Sequence, residues 1–157
     1  MNIELGGEEG VKGNVEGCLR LLSDLKTVAS FIPDSEGFSV VDKDAFMVRI
    51  KVNIGPIKGK FVATCKIREM KANGISYGIE WRGTGSEVNI LMEISLEKKD
   101  SENVNMRWKA VAELNGLITG IGESRIRSIA DKYIETMISS LKQVAVKSYM
   151  RGERYAR

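Results

Sequence analysis

The stretch FMVRIKVNIGPIKGKFVATCKIR, residues 46–68, decides the fold because it holds two alternating runs and the turn between them. Apolar or small residues take every second position in residues 46–54 and again in residues 57–68. A period of two predicts β-strands with one buried face and one wet face. We interpret Gly55-Pro56 as a hairpin turn rather than a phosphate-binding loop, since Pro56 lacks an N–H group and suits a turn or the first position of a strand.

Three further runs with the same period follow at short intervals. They cover residues 75–82, 88–97 and 104–114, and the segments between them are rich in turn-forming residues. Such short segments are typical of hairpin loops, so the runs predict an antiparallel sheet with one apolar face. Weaker patterns predict two more strands, at residues 2–12 and 38–41, which gives six or seven strands in all.

Helical patterns lie on both sides of these strands. Asn14 is a suitable N-cap for a short helix over residues 15–24, and a second short helix is predicted for residues 25–31, before Pro33. From residue 123 to residue 150, apolar residues recur at i, i+3 and i+4, which predicts one long helix. At 1.5 Å per residue this helix would be roughly 40 Å long, enough to cross the apolar face of the sheet.

This order of elements resembles the helix-grip fold of the START-like (SRPBCC) superfamily. Within it the chain resembles the CoxG family of carbon monoxide dehydrogenase subunits in the segments SDLKTVASFIPD (residues 23–34), VNIGPIKGKF (52–61) and LNGLITGIGESRI (114–126). The residues that match the family's motifs are Gly55, Pro56, Lys58, Gly59, Phe61, Gly116 and Gly122. Asp34 stands where that family usually has glycine.

The resemblance implies a single α+β domain over residues 1–157. In it, a curved antiparallel sheet of six or seven strands wraps around the long C-terminal helix, and two short helices follow the first strand. It also implies a function without catalysis, because family members are accessory proteins of molybdenum carbon monoxide dehydrogenase or related hydroxylases. Their proposed roles are membrane recruitment and the handling of quinones or other apolar ligands.

For this chain we therefore expect a lipid- or quinone-like apolar ligand and no cofactor. A molybdenum hydroxylase or carbon monoxide dehydrogenase is the expected partner enzyme, and contact with a membrane would be peripheral. No apolar run approaches the roughly 18 residues of a membrane span, and because the N-terminal residues are acidic and lack an apolar core we expect no signal peptide. The expected location is the cytoplasm.

The composition argues against several classes of function. The chain contains no histidine, and its two cysteines, Cys18 and Cys65, are far apart, so neither a metal site nor a Ser-His-Asp or Cys-His centre is predicted. The net charge is +3, from 24 basic and 21 acidic residues, which is too small to indicate a nucleic-acid partner. The composition therefore favours binding over chemistry.

The apolar face of the predicted sheet is the candidate ligand-binding site, because one helix cannot fill the concavity of six or seven strands. Tryptophan and methionine side chains on this face suit a flat apolar ligand, and the long helix would add a tyrosine hydroxyl group. The candidate ligand-binding residues are Phe61, Ile79, Trp81, Ile90, Met92, Met106, Trp108, Ala130, Tyr133 and Met137. The alternative interpretation is a fully packed core.

The wet face of the first two strands in the opening stretch is basic. An acidic partner protein or anionic lipid headgroups would suit this surface, and the alternative is that its charges serve solubility and protect the sheet edge. The candidate partner-binding residues are Lys58, Lys60, Lys66 and Arg68, next to Arg49 and Lys51.

A third hypothesis is an enzyme of the cyclase or aromatase type that acts on a bulky apolar substrate. Such an enzyme needs an ionisable side chain in its pocket, and Glu80 and Glu93 point to the wet face unless a bulge turns one of them inward. Cys18 and Cys65 are expected to be small buried apolar residues. The order of preference is a carrier of an apolar ligand, then an adaptor that docks through its basic face, then an enzyme.

Overall fold

A long helix over a seven-stranded sheet is the main feature of the computed structural model, which describes residues 1–83 and 85–156 and, for residues 153–156, the backbone alone. The elements follow the predicted order. They are β1 (Asn2–Lys12), α1 (Val15–Ser23), α2 (Leu25–Ser30), β2 (Ser35–Asp42), β3 (Ala45–Ile54), β4 (Ile57–Lys71), β5 (Gly74–Gly83), β6 (Ser86–Lys98), β7 (Asn103–Gly116), a 3-10 turn (Leu117–Ile121) and α3 (Glu123–Ala156).

The sheet is antiparallel, with the strand order β1-β7-β6-β5-β4-β3-β2. Strands β2 to β7 form a continuous meander, and β1 pairs with β7 at the far edge. The alternation of the sequence matches the burial of the strands, since Phe46, Val48, Ile50 and Val52 of β3 are at most 8% exposed while the residues between them are exposed. The prediction of one apolar face, hereafter the inner face, is therefore confirmed.

The turn between β3 and β4 is the predicted hairpin. Ile54 pairs directly with Ile57, so Gly55 and Pro56 are the two turn residues. Gly55 has φ 54°, a left-handed conformation that glycine adopts without steric cost. A Cβ atom at Gly55 would lie 3.5 Å from a guanidinium nitrogen of Arg125, which places the turn beside the first residues of α3.

Three elements differ in extent from the prediction. Strand β2 has eight residues rather than the four at 38–41, and seven of the eight are exposed, so no apolar alternation marks it. Strand β4 continues to Lys71, beyond the predicted end at residue 68, and the prediction stopped early because a register shift between Ile67 and Glu69 interrupts the alternation. Helix α3 reaches Ala156 rather than residue 150.

Side-chain caps fix the starts of the two short helices. The Asn14 side chain accepts a hydrogen bond from the backbone N–H of Gly17 at 2.7 Å, as an N-cap residue should. Asp24 caps α2 by accepting from the N–H of Thr27 at 2.9 Å, and these bonds hold the pKa of Asp24 below its usual value. After α2 the chain turns at Asp34, whose φ is 57°. A left-handed φ at this position explains why glycine would suit it.

Buried apolar side chains form two clusters on the inner face. The larger cluster joins α1, α2, β3 and β4 to the C-terminal half of α3, and Phe46 and Phe61 are its largest fully buried members. The smaller cluster consists of Ile3, Val88, Leu114 and Ile126, at the N-terminal end of α3. The two clusters therefore pack opposite ends of the helix against the sheet.

Candidate functional site

Apolar side chains between the two clusters are only half-buried. Ile79, Trp81, Ile90, Met92 and Trp108 all project from the inner face of β5, β6 and β7, as the strand register requires. All five keep an intermediate exposure, whereas the smaller inner-face residues opposite three of them, Ala63, Cys65 and Ala110, are buried. The large apolar side chains in this part of the sheet are therefore less completely covered than those of the two clusters.

Helix α3 has the same pattern along its length. Ile126 is 9% exposed, Leu141 5% and Ala145 2%, but no residue from 127 to 140 is buried. The apolar side chains in this interval are half-buried; they are Ile129, Ala130, Tyr133, Ile134, Met137 and Ile138. We call the five half-buried side chains of β5, β6 and β7 and the six half-buried side chains of this helical interval the central strip.

Polar contacts hold α3 along the β1 edge of the sheet. The Arg127 guanidinium donates to the carbonyl oxygen of Glu4 at 3.0 Å, and fifteen positions later Lys142 Nζ lies 2.7 Å from a carboxylate oxygen of Glu9. At 1.5 Å per residue these ties are roughly 22 Å apart along the helix. Among the strands, β1 is also the one that the α3 backbone approaches most closely. The helix therefore follows β1 and passes the middle strands at a greater distance.

Tyr133 links the central strip to the segment after α2. Its hydroxyl group donates a hydrogen bond to the carbonyl oxygen of Pro33 at 2.8 Å, and its ring meets Trp81 edge-on with 5.5 Å between the ring centroids. Burial, together with the charge of Asp34, raises the pKa of Tyr133 to about 12. The hydroxyl group is therefore neutral at pH 7, and because its proton is donated to Pro33, it is left to accept a hydrogen bond from a ligand.

A second tyrosine, which the sequence did not single out, joins the sheet to α1. The buried Tyr77 hydroxyl group donates to the carbonyl oxygen of Leu22 at 2.5 Å. Burial and then the neighbouring Cys65 raise the pKa of Tyr77. The sequence could have indicated this contact, because Tyr77 occupies an inner-face position and a buried tyrosine hydroxyl group needs a hydrogen-bond partner.

The two cysteines are confirmed as buried apolar groups. Both thiols are free, Cys18 in α1 and Cys65 in β4, with exposures of 4% and 5%. Burial raises the pKa of the Cys65 thiol to about 12 and raises that of Cys18 as well. Neither group is a thiolate at neutral pH, so neither is suited to nucleophilic chemistry.

Trp108 has an unusual environment within the central strip. Its indole ring lies against Gly7 of β1, where an added Cβ atom would be 2.9 Å from Nε1 and 3.1 Å from two ring carbons. The Nε1 atom is buried and has no hydrogen-bond partner among the residues that the structure describes. A buried N–H without a partner is destabilising.

The ten predicted ligand-binding residues fall into two groups. Eight of them belong to the central strip and keep an intermediate exposure. Phe61 and Met106 are 1% and 3% exposed and belong to the larger cluster, so a ligand would reach them only after other side chains moved. Contact with a ligand remains a prediction, and the eight strip residues carry it.

The charged residues predicted for the wet face lie on the outer face of the sheet. Lys58, Lys60, Lys66 and Arg68 are all exposed. Glu80 also faces outward and pairs with Arg82 at 3.0 Å, and Glu93 stands opposite Ser76 and Lys109 on the same side. The two glutamates considered as acid-base groups thus point away from the central strip.

Two surface clefts lie away from the central strip. One, of about 340 Å³, is on the outer face, between the end of β4 and the middle of β7. The other, of about 390 Å³, lies between the start of α1 and the last turns of α3. In residues 1–83 and 85–156, no group of three or more acidic, cysteine or histidine side chains is placed to hold a metal ion.

The helices of the protein are α1, α2 and the long α3. In the described part of the chain, none of them has both the length and the apolar composition needed to cross a bilayer.

Known proteins share this architecture. Among solved structures, a conserved protein from Geobacillus kaustophilus has a TM-score of 0.84 at 21% identity, over 94% of this chain and 97% of that one. A START superfamily protein from Mycobacterium smegmatis has a TM-score of 0.70 at 9% identity, over 92% of this chain and 97% of that one. The protein Ara h 8.0201 has a TM-score of 0.69 at 9% identity, over 94% and 99%. No curated protein sequence matches the chain significantly.

These likenesses confirm the START-like, helix-grip fold. A family model that describes CoxG, a subunit of carbon monoxide dehydrogenase, matches residues 7–146, which is most of the chain. The chain belongs to the CoxG family of carbon monoxide dehydrogenase subunits.

Proposed function

We propose that this domain binds an apolar small molecule along the central strip and acts as a non-catalytic accessory protein. The observation that carries the proposal is the half-exposure of the strip between two packed clusters. Removing apolar surface from water is favourable by roughly 25 cal/mol per Å². A ligand that covers the strip would gain this energy from the sheet and the helix together.

The side chains of the strip favour a flat and mostly apolar ligand. Trp81 and Trp108 offer aromatic faces, and Met92 and Met137 offer flexible, polarisable groups that adapt to a ring or a chain. Polar contacts are few, and the Tyr133 oxygen is one of them. A lipid- or quinone-like molecule with few polar atoms fits this composition.

The accessory role is supported by the family and by the chemistry of the strip. Tyr133 is neutral at pH 7, and Glu80 and Glu93, the two carboxylates considered for acid-base chemistry, face outward, which favours binding over a cyclase-type reaction. The family description names carbon monoxide dehydrogenase, and we propose a molybdenum-containing form of it or a related hydroxylase as the enzyme that this protein assists. We place this activity in the cytoplasm, with peripheral contact to the membrane from which an apolar ligand would come.

The two tryptophans of the chain provide the test, since both lie in the strip. Ubiquinone-1 should quench their fluorescence with a saturable curve, and oleate should compete with it. Ile90→Lys, which puts a charge into the strip, should weaken binding at least about tenfold. The matched control is Leu91→Lys on the other face of the same strand, where the side chain is 49% exposed, and it should change binding less than about twofold.

A second variant distinguishes a loss of ligand binding from misfolding. Ala130→Phe fills the strip from the helix without adding charge, so it should also reduce binding while the far-ultraviolet circular dichroism stays unchanged. Quenching that never saturates, or that is equal in wild type and both strip variants, would overturn the proposal. So would a failure of both ubiquinone-1 and oleate to form an adduct in native mass spectrometry.

A further inference from the structure

We infer that the outer face of β3 and β4 docks on an acidic surface of a partner protein. The basic face, as we call it, consists of Arg49, Lys51, Lys58, Lys60, Lys66 and Arg68, all exposed. This inference concerns a surface on the opposite side of the sheet from the central strip. It therefore does not depend on whether the strip binds a ligand.

Most charges of the basic face have no ion-pair partner among the described residues. Lys60 pairs with Glu36 at 2.9 Å, but in residues 1–83 and 85–152 the other five cations have no carboxylate within 4.0 Å. Elsewhere on the outer face the pattern is reversed. Arg82 pairs with Glu80 and Glu87, and Arg107 pairs with Glu8. Unpaired positive charge is thus concentrated on two adjacent strands.

The strand register places like charges next to one another on this face. Lys51 stands directly opposite Lys60, and like charges in opposed positions of a sheet are destabilising. Glu36 is the nearest internal counter-charge, and Lys60 first, then Arg49 and Lys51, lower its pKa. The Glu36 carboxylate therefore interacts with three of the cations at once. Carboxylates of a partner protein would relieve the remaining repulsion between the lysines. This charge complementarity favours an acidic protein surface as the partner.

Apolar groups in the middle of the basic face favour a protein over a membrane. Val62 stands opposite Arg49, Met47 is its neighbour on the same face, and each is 38% exposed. Methionine and arginine are enriched in protein interfaces. Membrane-docking segments insert apolar side chains by roughly 5–10 Å, whereas these two stand on a flat strand surface among charged neighbours.

The size of the face indicates a transient complex. From Lys58 to Lys66 the strand extends roughly 27 Å, and neighbouring strands are about 4.8 Å apart. The two strands β3 and β4 then offer roughly 260 Å², well below the roughly 800 Å² per partner of a standard interface. Binding should therefore be weak and strongly weakened by salt.

The test uses a fluorescein-labelled 16-residue peptide of alternating glutamate and serine, followed by anisotropy at 25 mM and 150 mM NaCl. The triple variant Lys51→Glu, Lys58→Glu, Lys66→Glu reverses three unpaired cations and leaves the Lys60–Glu36 pair intact. It should bind at least tenfold more weakly than wild type. The control variant carries Lys98→Glu, Lys132→Glu and Lys147→Glu, three exposed positions outside the basic face. It has the same net charge as the triple variant.

The inference holds if the control binds within about twofold of wild type and the triple variant does not. It is overturned if both variants lose binding equally, because bulk charge would then be the cause, or if wild type does not bind at 25 mM NaCl. Vesicles of phosphatidylcholine with 30 mol% phosphatidylglycerol form the second arm. Vesicle binding that needs the same three lysines would also overturn it, in favour of a membrane surface. Unchanged far-ultraviolet circular dichroism of the triple variant separates a loss of docking from a failed fold, and ubiquinone-1 quenching of the same variant reports on the ligand site separately.

Discussion

The hydroxyl group of Tyr133 lies 2.8 Å from the carbonyl oxygen of Pro33, a hydrogen bond between residues one hundred positions apart. The same ring packs edge-on against Trp81 of β5. One side chain in the middle of α3 is therefore in contact with both the sheet and the segment after α2.

Tyr133→Phe should lower the free energy of unfolding by about 1 kcal/mol, the usual net value of one hydrogen bond. Tyr77→Phe should cost more, about 1–3 kcal/mol, because the carbonyl group of Leu22 would be left buried without this partner near the end of α1. Urea unfolding of both variants measures the difference. Ser139→Ala, an exposed change on α3, is the control and should have an effect below about 0.5 kcal/mol. Equal losses in the two tyrosine variants would contradict this ranking.

Gly7 and Trp108 should show energetic coupling. An added methyl group at Gly7 would be 2.9 Å from Nε1 of Trp108, so Gly7→Ala should destabilise the wild type by about 1–3 kcal/mol. In a Trp108→Phe background the clashing ring atoms are absent, and the cost should fall by at least about 1 kcal/mol.

Trp108→Phe by itself should change stability by less than about 1.5 kcal/mol, because the loss of apolar contact is offset by removing a buried N–H without a described partner. A double-mutant cycle from urea unfolding measures the coupling with Gly7. Additive effects of the two substitutions would show that the predicted contact is not made.

Stability should fall as the pH rises above about 9. Burial raises the pKa of Cys65 to about 12, whereas an unfolded cysteine titrates near 8.5. Between these values the folded chain binds more protons than the unfolded chain, so the free energy of unfolding decreases with pH, by up to about 1.4 kcal/mol per pH unit for this group. Urea unfolding at pH 8.0 and 10.5 under reducing conditions measures the slope. Cys65→Ala should make it shallower, and an unchanged slope would exclude this thiol as a cause.

Asp34 offers a test of backbone conformation that holds charge constant. Its φ of 57° is unfavourable for an alanine and free of steric cost for a glycine. Asp34→Gly should therefore be more stable than Asp34→Ala by about 1 kcal/mol in thermal or urea unfolding. Both variants remove the carboxylate that raises the pKa of Tyr133, so alkaline titration of tyrosine absorbance should move to lower pH in both. Equal stability of Asp34→Gly and Asp34→Ala would mean that the backbone at residue 34 leaves the left-handed conformation when aspartate is replaced.

Most of the sheet could be predicted because its strands have one dry face and one wet face. Phe46 to Ile54 shows this in five alternate positions, and the structure places them as expected. The prediction was incomplete where that physical cause is missing. The edge strand β2 has almost no buried side, and in β4 a bulge after Ile67 changes which residues face inward, so periodicity ends before pairing does.

The candidate site was predictable in its membership but not in its exposure. Alternation assigns Trp81 and Ile79 to the inner face, yet Phe61 carries the same signal and is fully buried. The difference depends on which side chains pack together: Phe61 belongs to the larger cluster, which includes residues of α1 and α2, whereas Ile79 and Trp81 lie at the margin of that cluster. These contacts join positions far apart in the chain, and no local pattern of the sequence indicates them.

The polar ties of α3 to β1 have a mechanical consequence. Arg127, Lys142 and Lys12 with Tyr149 all fasten the helix along one border of the sheet. A helix held along one border can tilt about that border while these contacts remain, and the hydrogen bond of Tyr133 to Pro33 is the contact on the other side that such a tilt would break. The spacing between α3 and the middle strands would then change continuously with a small angle. Molecules of different thickness could be accommodated in this way without any change in strand pairing.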